Sequence, residues 1–319
     1  MPAEVNNLEF FGYNSDQLKV LELLFIAKRG GKKVLLMAAP SFVVDFDYKT
    51  FVPTMKALGF DKVTELTFGA KIVNEHYHKY VQEKHSRYAL NGKKKDAAFQ
   101  EKFIASVCPA SVDLVKNQHP ELKKYLLPFD SPMGAMGKIV RKNFPKHKIV
   151  FLAPCSAKKA EASKLFLAGE KLIEGVVTFA EMKQIVAKEK PQINPRLFAD
   201  VESAGFDSFY NDYTKIYPLS GGLSNTLHYK GLLHKNQMVS CDGCTDIQKL
   251  FSKHSDKVFY DILFCEGGCI GGNGVSSKTP LFMKKRRVLE YAQFAAKEKM
   301  NGKQGLEKYT KGINFGKEI

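Results

Sequence analysis

Two patterns alternate along this chain: short runs of uninterrupted apolar residues, and longer stretches whose apolar residues recur every three or four positions. The run KKVLLMAAPSFVVDF at 32–46 opens without a polar break, as a strand buried on both faces does, and ends at Ala39-Pro40-Ser41. DYKTFVPTMKALGF follows at helical spacing with Gly59 as its stop, and DKVTELT reads as a second strand. Residues 71–102 are polar, with helical stretches around the loop ALNGKKKD, and KFIASVCPA is an apolar run ending at Cys108-Pro109. PELKKYLLPFDSPMGAMGKIVRKNF is mostly helical in pattern. HKIVFLAPCSAKKAEA repeats the first grammar: apolar strand, proline-containing turn, helix-forming run. EGVVTFAEMKQIVAKEK reads as strand then helix, VFYDILFCEGGC as a strand running into glycines, and residues 281–311 as helical.

Strands alternating with helices predict an α/β fold of mainly parallel sheets flanked by helices. No repeat or low-complexity linker interrupts the 319 residues. The expected organisation is therefore a single domain of two packed lobes, approximately 1–145 and 146–319, with a crevice between them. Cys108, Cys155 and Cys265 each follow the C-terminal end of a predicted strand, the end at which ligands bind in open α/β sheets. Three separate elements can thus deliver cysteines to one crevice.

Composition changes this picture little: 44% hydrophobic and 26% charged residues is an ordinary globular balance. No apolar run approaches the roughly 20 residues of a membrane span. MPAEVNNLEFFGYNSD lacks the basic-then-apolar order of a secretory signal, so a cytoplasmic protein is expected. The formal net charge of +16 comes from lysines spread along the chain, clustered at NGKKKD, RKNFPKHK and FMKKRR. No nucleic-acid-binding motif accompanies them. They read first as solvated helix faces, then as a docking surface for an acidic protein, and no nucleic-acid partner is expected.

The six cysteines, Cys108, Cys155, Cys241, Cys244, Cys265 and Cys269, are too few and too clustered for a disulfide framework in a cytosolic chain. The signatures SVCPAS, APCSAKKAE and FCEGGCIGG together offer four thiols: Cys108, Cys155, Cys265 and Cys269. Four thiolates suit a [4Fe–4S] cubane, and tetrahedral sulfur also suits zinc. The glycines Gly267, Gly268, Gly271 and Gly272 favour the larger object, since they let backbone approach a bulky group without a Cβ and leave amides free to donate to its sulfurs. Cys241-Asp242-Gly243-Cys244 stands apart, as a turn, a redox pair or half of a metal site.

All three signatures, in this order, resemble the catalytic H-cluster domain of [FeFe]-hydrogenases over roughly residues 32–290. In that family four cysteines hold a [4Fe–4S] cubane, one of them also bridging to a di-iron subsite that carries CO, cyanide and a dithiolate. The resemblance implies that Cys108, Cys155 and Cys265 ligate the cubane and that Cys269 bridges, with Gly267 and Gly268 as cofactor wall. It implies that Lys158 holds a cyanide. Buried without an obvious carboxylate partner, its ammonium would want an anionic ligand. Glu161 would support it. Ala39-Pro40-Ser41 resembles the segment contacting the other cyanide, with Ser41 at the reacting site. Pro154 and Ser131 fall in register with cofactor contacts.

Other positions depart from the family. The prototype has a proton-relay cysteine directly before its first ligand, and here that residue is Val107, which cannot pass a proton. The relay serine falls on Leu127, and relay carboxylates should lie in EHYHKY, where Glu75 is a candidate and His76 or His78 could offer another route. The methionines expected before the second and third ligands are Ala153 and Leu263. No cysteine precedes Cys108, so no N-terminal ferredoxin domain is expected within the chain. CPA without a preceding cysteine, DSPM, YPLSGGLSNTL and GGCIGG resemble the divergent subgroup described as putative or sensory hydrogenases.

The resemblance therefore implies an iron hydrogenase with H2 and protons as substrates and a ferredoxin or other iron–sulfur electron carrier as partner. Maturation proteins would supply the di-iron subsite, and turnover would be slow. The rival readings are an H2 sensor with a signalling partner, a protein holding only a [4Fe–4S] cluster, and a zinc protein.

Overall fold

An apolar run can be buried on both faces only in the middle of a covered sheet, and in the computed structural model Val34–Ala38 (β1) is buried at every residue. The structure describes residues 12–90, 101–192, 205–209, 213–229, 231–244, 246–295 and 306–318. The remaining strands are β2 (Lys62–Glu65), β3 (Phe103–Ile104), β4 (Lys148–Ala153), the short hairpin β5 (Phe166–Leu167) and β6 (Glu170–Lys171), β7 (Gly175–Thr178), β8 (Met238–Asp242) and β9 (Phe259–Leu263). The helices are α1 (Ser15–Lys28), α2 (Phe51–Leu58), α3 (Thr67–Leu90), α4 (Pro109–Gln118), α5 (Pro132–Asn143), α6 (Ala157–Ser163), α7 (Phe179–Glu189), α8 (Ser224–Tyr229), α9 (Ile247–Lys253), α10 (Leu281–Ala295) and α11 (Leu306–Thr310).

One sheet runs β2-β1-β4-β7 and a second runs β3-β9-β8, and every pairing within them is parallel. Leu36 of β1 sits in register with Val63 on one side and Val150 on the other. Each sheet draws strands from both sides of residue 145, so the lobes expected at 1–145 and 146–319 do not coincide with the sheets. The chain crosses between them, and their C-terminal ends meet.

The boundaries follow local chemistry. α2 stops because Gly59 takes a φ of 117°, a conformation open to glycine. α7 starts in a capping box, in which the Thr178 side chain accepts from Glu181 N–H while Glu181 accepts from Thr178 N–H. PELKKYLLPFDSPMGAMGKIVRKNF is less helical than its pattern predicts: Pro120–Tyr125 is a 3-10 helix and the chain then runs extended to Ser131. Pro128 and Pro132 are the reason, because each biases the residue before it away from helix. α1 and β8 escape the sequence pattern. α1 is nearly as polar on its buried side as elsewhere, burying Gln17 beside Val20 and Leu24. β8 is a half-exposed edge strand. The loop ALNGKKKD falls largely outside the described residues. Among the described residues no helix is long and apolar enough to cross a membrane.

Candidate functional site

Four chain segments leave the C-terminal ends of β1, β3, β4 and β9 and face one cavity of about 90 Å³. β1 delivers Ala39, Pro40 and Ser41. The chain beyond β3 delivers Val107, Cys108 and Pro109; β4 delivers Pro154, Cys155 and Lys158; β9 delivers Asp261, Leu263 and Cys269. Tyr217, Pro218 and Leu223 close another side. The wall is mostly apolar, which excludes water and strengthens any charge interaction inside it.

Cys265 lies outside that wall, yet its thiol responds to the charges of Cys155 and Cys108, and that of Cys269 responds to all three other cysteines. Burial first, then these neighbours, pushes the Cys265 thiol up to about 11, and the same causes raise Cys269. Burial likewise raises Cys155, and the Lys158 ammonium opposes it. Four thiols in such a place ionise together only if a cationic group offsets their charge, as a metal cluster does. Among the described residues no three His, Cys, Asp or Glu side chains are grouped tightly enough to hold one metal ion. Sulfurs spread around a wall fit a polynuclear cluster better than a single zinc ion.

The glycines act differently from the sequence expectation. A Cβ at Gly268 would stand 2.5 Å from Pro218 O, at Gly271 1.9 Å from Glu266 O, and at Gly272 2.4 Å from Pro154 O. Those atoms are protein backbone, of other loops at Pro218 and Pro154 and of the same loop at Glu266, so the bare stretch lets the third cysteine loop fold tightly and press against its neighbours. Gly267 and Gly268 also need their side-chain freedom for φ values of 76° and 73°. Neither is among the described residues of the cavity wall. Hydrogen bonds complete the seam. Cys269 N–H donates to Pro218 O at 2.8 Å, Gly274 N–H to Pro154 O at 2.9 Å, and Ser156 N–H to Asn273 Oδ1 at 2.9 Å. Gly272→Ala should cost about 1–3 kcal/mol in unfolding free energy, because its clash is with backbone that cannot rotate away. Chemical denaturation of the cluster-free protein measures this.

Lys158 has a carboxylate partner, contrary to the expectation of a buried ammonium without one. Its Nζ lies 2.7 Å from Glu161 Oε2, both side chains are buried, and it donates at 3.5 Å to Val107 O. Burial alone would lower the lysine, but Glu161 and then the Cys155 and Cys108 thiols hold it above its ordinary value. Lys158 is therefore a cation at the cavity wall. Ser41 lines the cavity with its Oγ buried and without a hydrogen-bond partner. A hydroxyl left so would find its partner in whatever fills the cavity. Ser131 caps α5, accepting from Gly134 N–H at 3.2 Å, and its neighbour Pro132 lines the wall instead.

Of the expected relay positions, only Val107 is on the wall. Leu127 is buried elsewhere, and its carbonyl accepts from Ser106 Oγ at 2.7 Å. Glu75, His76 and His78 lie on α3 and are not among the described wall residues. His76 packs against Phe129 and Phe315, and His78 Nε2 is 3.3 Å from Thr226 Oγ1. Cys241 and Cys244 are in mutual contact at the end of β8, and burial pushes the Cys244 thiol up to about 12. Between them Asp242 accepts from Gly267 N–H, tying this turn to the third cysteine loop. Sequence reading missed Asp242, and it missed Asp261, a buried carboxyl on the cavity wall.

Residues 32–273 match the family of the iron-only hydrogenase large subunit, C-terminal domain. The chain belongs to that family. Solved [FeFe]-hydrogenases share its fold. HydA(deltaEFG), solved in work on stepwise H-cluster assembly, superposes with a TM-score of 0.65 at 16% identity over 86% of this chain and 88% of that one. A variant of HydA1 from Chlamydomonas reinhardtii gives 0.65 at 15% identity over the same shares, 86% and 88%. An apo variant of HydA1 from that organism gives 0.64 at 16% identity, again over 86% and 88%. At such identities the likeness speaks for the fold, so residue roles in this hydrogenase-family chain rest on its own geometry.

Proposed function

We propose that this chain interconverts H2 with protons and electrons at an H-cluster, a [4Fe–4S] cubane joined to a di-iron subsite. The observation that supports this most is the arrival of three cysteine-bearing strand ends at one apolar cavity, with the Lys158 cation and the Ser41 hydroxyl on its wall. In this reading Cys108, Cys155 and Cys265 ligate the cubane and Cys269 joins it to the di-iron subsite. When bound, that group supplies the splitting of H2 and its two-electron redox change. The chain's residues ligate, keep water out and place charge. Lys158 holds an anionic ligand of the group and Glu161 fixes the ammonium in place. Ser41 donates to a second anionic ligand beside Ala39 and Pro40, and Pro154 packs against the group.

The protein is cytoplasmic in this reading and forms one domain, loaded by maturation proteins. Its electrons pass to an acidic iron–sulfur carrier of the ferredoxin kind. α10 packs beside the third cysteine loop and carries exposed Phe282 and Met283 among Lys285, Arg286 and Arg287, a basic and apolar face suited to such a carrier.

Val107 makes turnover slow. Val107→Cys should raise it by about tenfold, short of the roughly 10²–10⁴-fold a positioned proton-transfer group contributes, since Leu127 leaves the next link apolar. H2 evolution from a chemical reductant checks this. The same Val107 favours a second reading, an H2 sensor passing its signal to a protein partner with little turnover. The deciding experiment is an infrared spectrum of the matured protein in the range of roughly 1800–2150 cm⁻¹, where iron-bound CO and cyanide absorb. Bands that shift under H2 support the H-cluster. A silent spectrum from a brown protein reduces the site to a cubane and removes the hydrogenase reading.

A further inference from the structure

With Val107 and Leu127 in the relay positions, a catalytic cavity of this kind needs some other way to exchange protons with water. The strand β9 offers one. Its side chains alternate: Tyr260 and Ile262 pack into one apolar cluster, while Phe259, Asp261 and Leu263 point to the other side, where Asp261 and Leu263 reach the cavity. Asp261 is 2% exposed, a carboxyl in an otherwise apolar strand. Ser224 N–H donates to its Oδ2 at 3.2 Å, which brings the Ser224 side chain beside the same carboxyl, while the Ser224 hydroxyl lies 3.4 Å from Gly221 O. Ser224 Oγ lies 2.7 Å from Ser240 Oγ, and Ser240 is exposed on β8. Asp261, Ser224 and Ser240 thus follow one another from the cavity wall to the exposed side of β8.

We propose that Asp261, Ser224 and Ser240 form the proton path of this chain, replacing the one that Val107 and Leu127 interrupt. The proposal rests on the reading that a hydrogen-converting cluster occupies the cavity. A proton from water binds the Ser240 hydroxyl, which passes its own proton to Ser224 Oγ. Ser224 passes its proton to the Asp261 carboxylate, and the neutral acid releases a proton into the cavity. Each hydroxyl gains one proton and loses one, the carboxylate is regenerated, and no electrons move. The reverse order carries protons out.

The environment suits the task. Burial pushes Asp261 up to about 6 against the hydrogen bonds from Ser224, so both protonation states are accessible near neutral pH. Tyr77 is the titratable side chain whose charge couples to it, and the other titratable groups on the cavity wall are Cys108, Cys155, Cys269, Lys158 and Tyr217. Asp261 acts as the relay group at the cavity, and Ser224 both positions it and feeds it.

Two measurements test the path. In the cluster-free protein, the infrared band of a buried protonated carboxyl should titrate near pH 6, vanish in Asp261→Asn and shift in Ser224→Ala. In the matured protein, Asp261→Asn and Ser224→Ala should each lower turnover at least about tenfold with CO and cyanide bands intact, while Ser224→Thr, which keeps the hydroxyl, retains it. Turnover within twofold of the parent in both variants, with those bands intact, overturns the path. A parent without CO and cyanide bands removes the function reading instead. The carboxyl titration then decides the relay, and a band absent between pH 5 and 7 or unmoved by Ser224→Ala overturns it.

Discussion

Cys155→Ser should abolish cluster binding. Reconstituted anaerobically with iron and sulfide, the parent should hold roughly four irons per chain and the variant less than one. Cys155 faces the cavity directly after β4, where Pro154 fixes the turn and Gly272 presses from the third loop. A serine hydroxyl fits the space but is too weak an acid to replace a thiolate ligand for iron. The effect should be all-or-none, because the other cysteines sit on separate loops and no spare thiol lies among the described wall residues. Cys241→Ser is the matched control, since that residue packs with Cys244 in the separate apolar cluster, is not among the described wall residues, and should leave the iron count unchanged. A Cys155→Ser protein that keeps its full iron would remove Cys155 from the ligand set.

The contrast between these two cysteines shows what the sequence makes legible. Cys108, Cys155 and Cys265 could be placed together because each ends an apolar run, and parallel sheets put all strand C-termini on one side. The glycines were visible too, but not what they touch. Their neighbours Pro154 and Pro218 lie more than 45 residues away, and only the sheet order brings them close. Glu161 was legible as a partner of Lys158 by its spacing, three residues along a helix. The resemblance to the family gave Glu161 a supporting role without naming that pairing. Asp261 carried a signal of its own, one acid within VFYDILF, where desolvation makes an unneeded carboxylate costly. Ser224 stands 37 residues earlier, so no local pattern could have joined them. β8 and α1 were missed for the opposite reason: each is half-exposed or polar on its buried side, which blurs the periodicity.

Lys158→Met should destabilise the cluster-free protein by about 3–5 kcal/mol, because it leaves the Glu161 carboxylate buried without its cation. Methionine matches the lysine stem, so little of the loss comes from packing. If charge is the cause, Lys158→Met with Glu161→Leu should recover most of it, since an apolar pair of similar volume asks nothing of the interior. Lys159→Met offers the comparison. Lys159 pairs with Asp16 and Glu181 at 2.6 Å but is more exposed, so its loss should cost no more than about 1 kcal/mol. Denaturant midpoints of the parent, the Lys158→Met and Glu161→Leu single variants and their double variant give the cycle, with Lys159→Met measured beside them. The matured proteins then separate the two roles of the ammonium. If Lys158 only neutralises Glu161, the double variant should take up the di-iron subsite as the parent does. If it holds an anionic ligand, the double variant should be stable, keep its cubane iron and lack the CO and cyanide bands. The second result is expected, because Lys158 is part of the cavity wall and its charge is coupled to the Cys155 and Cys108 thiols there as well as to Glu161.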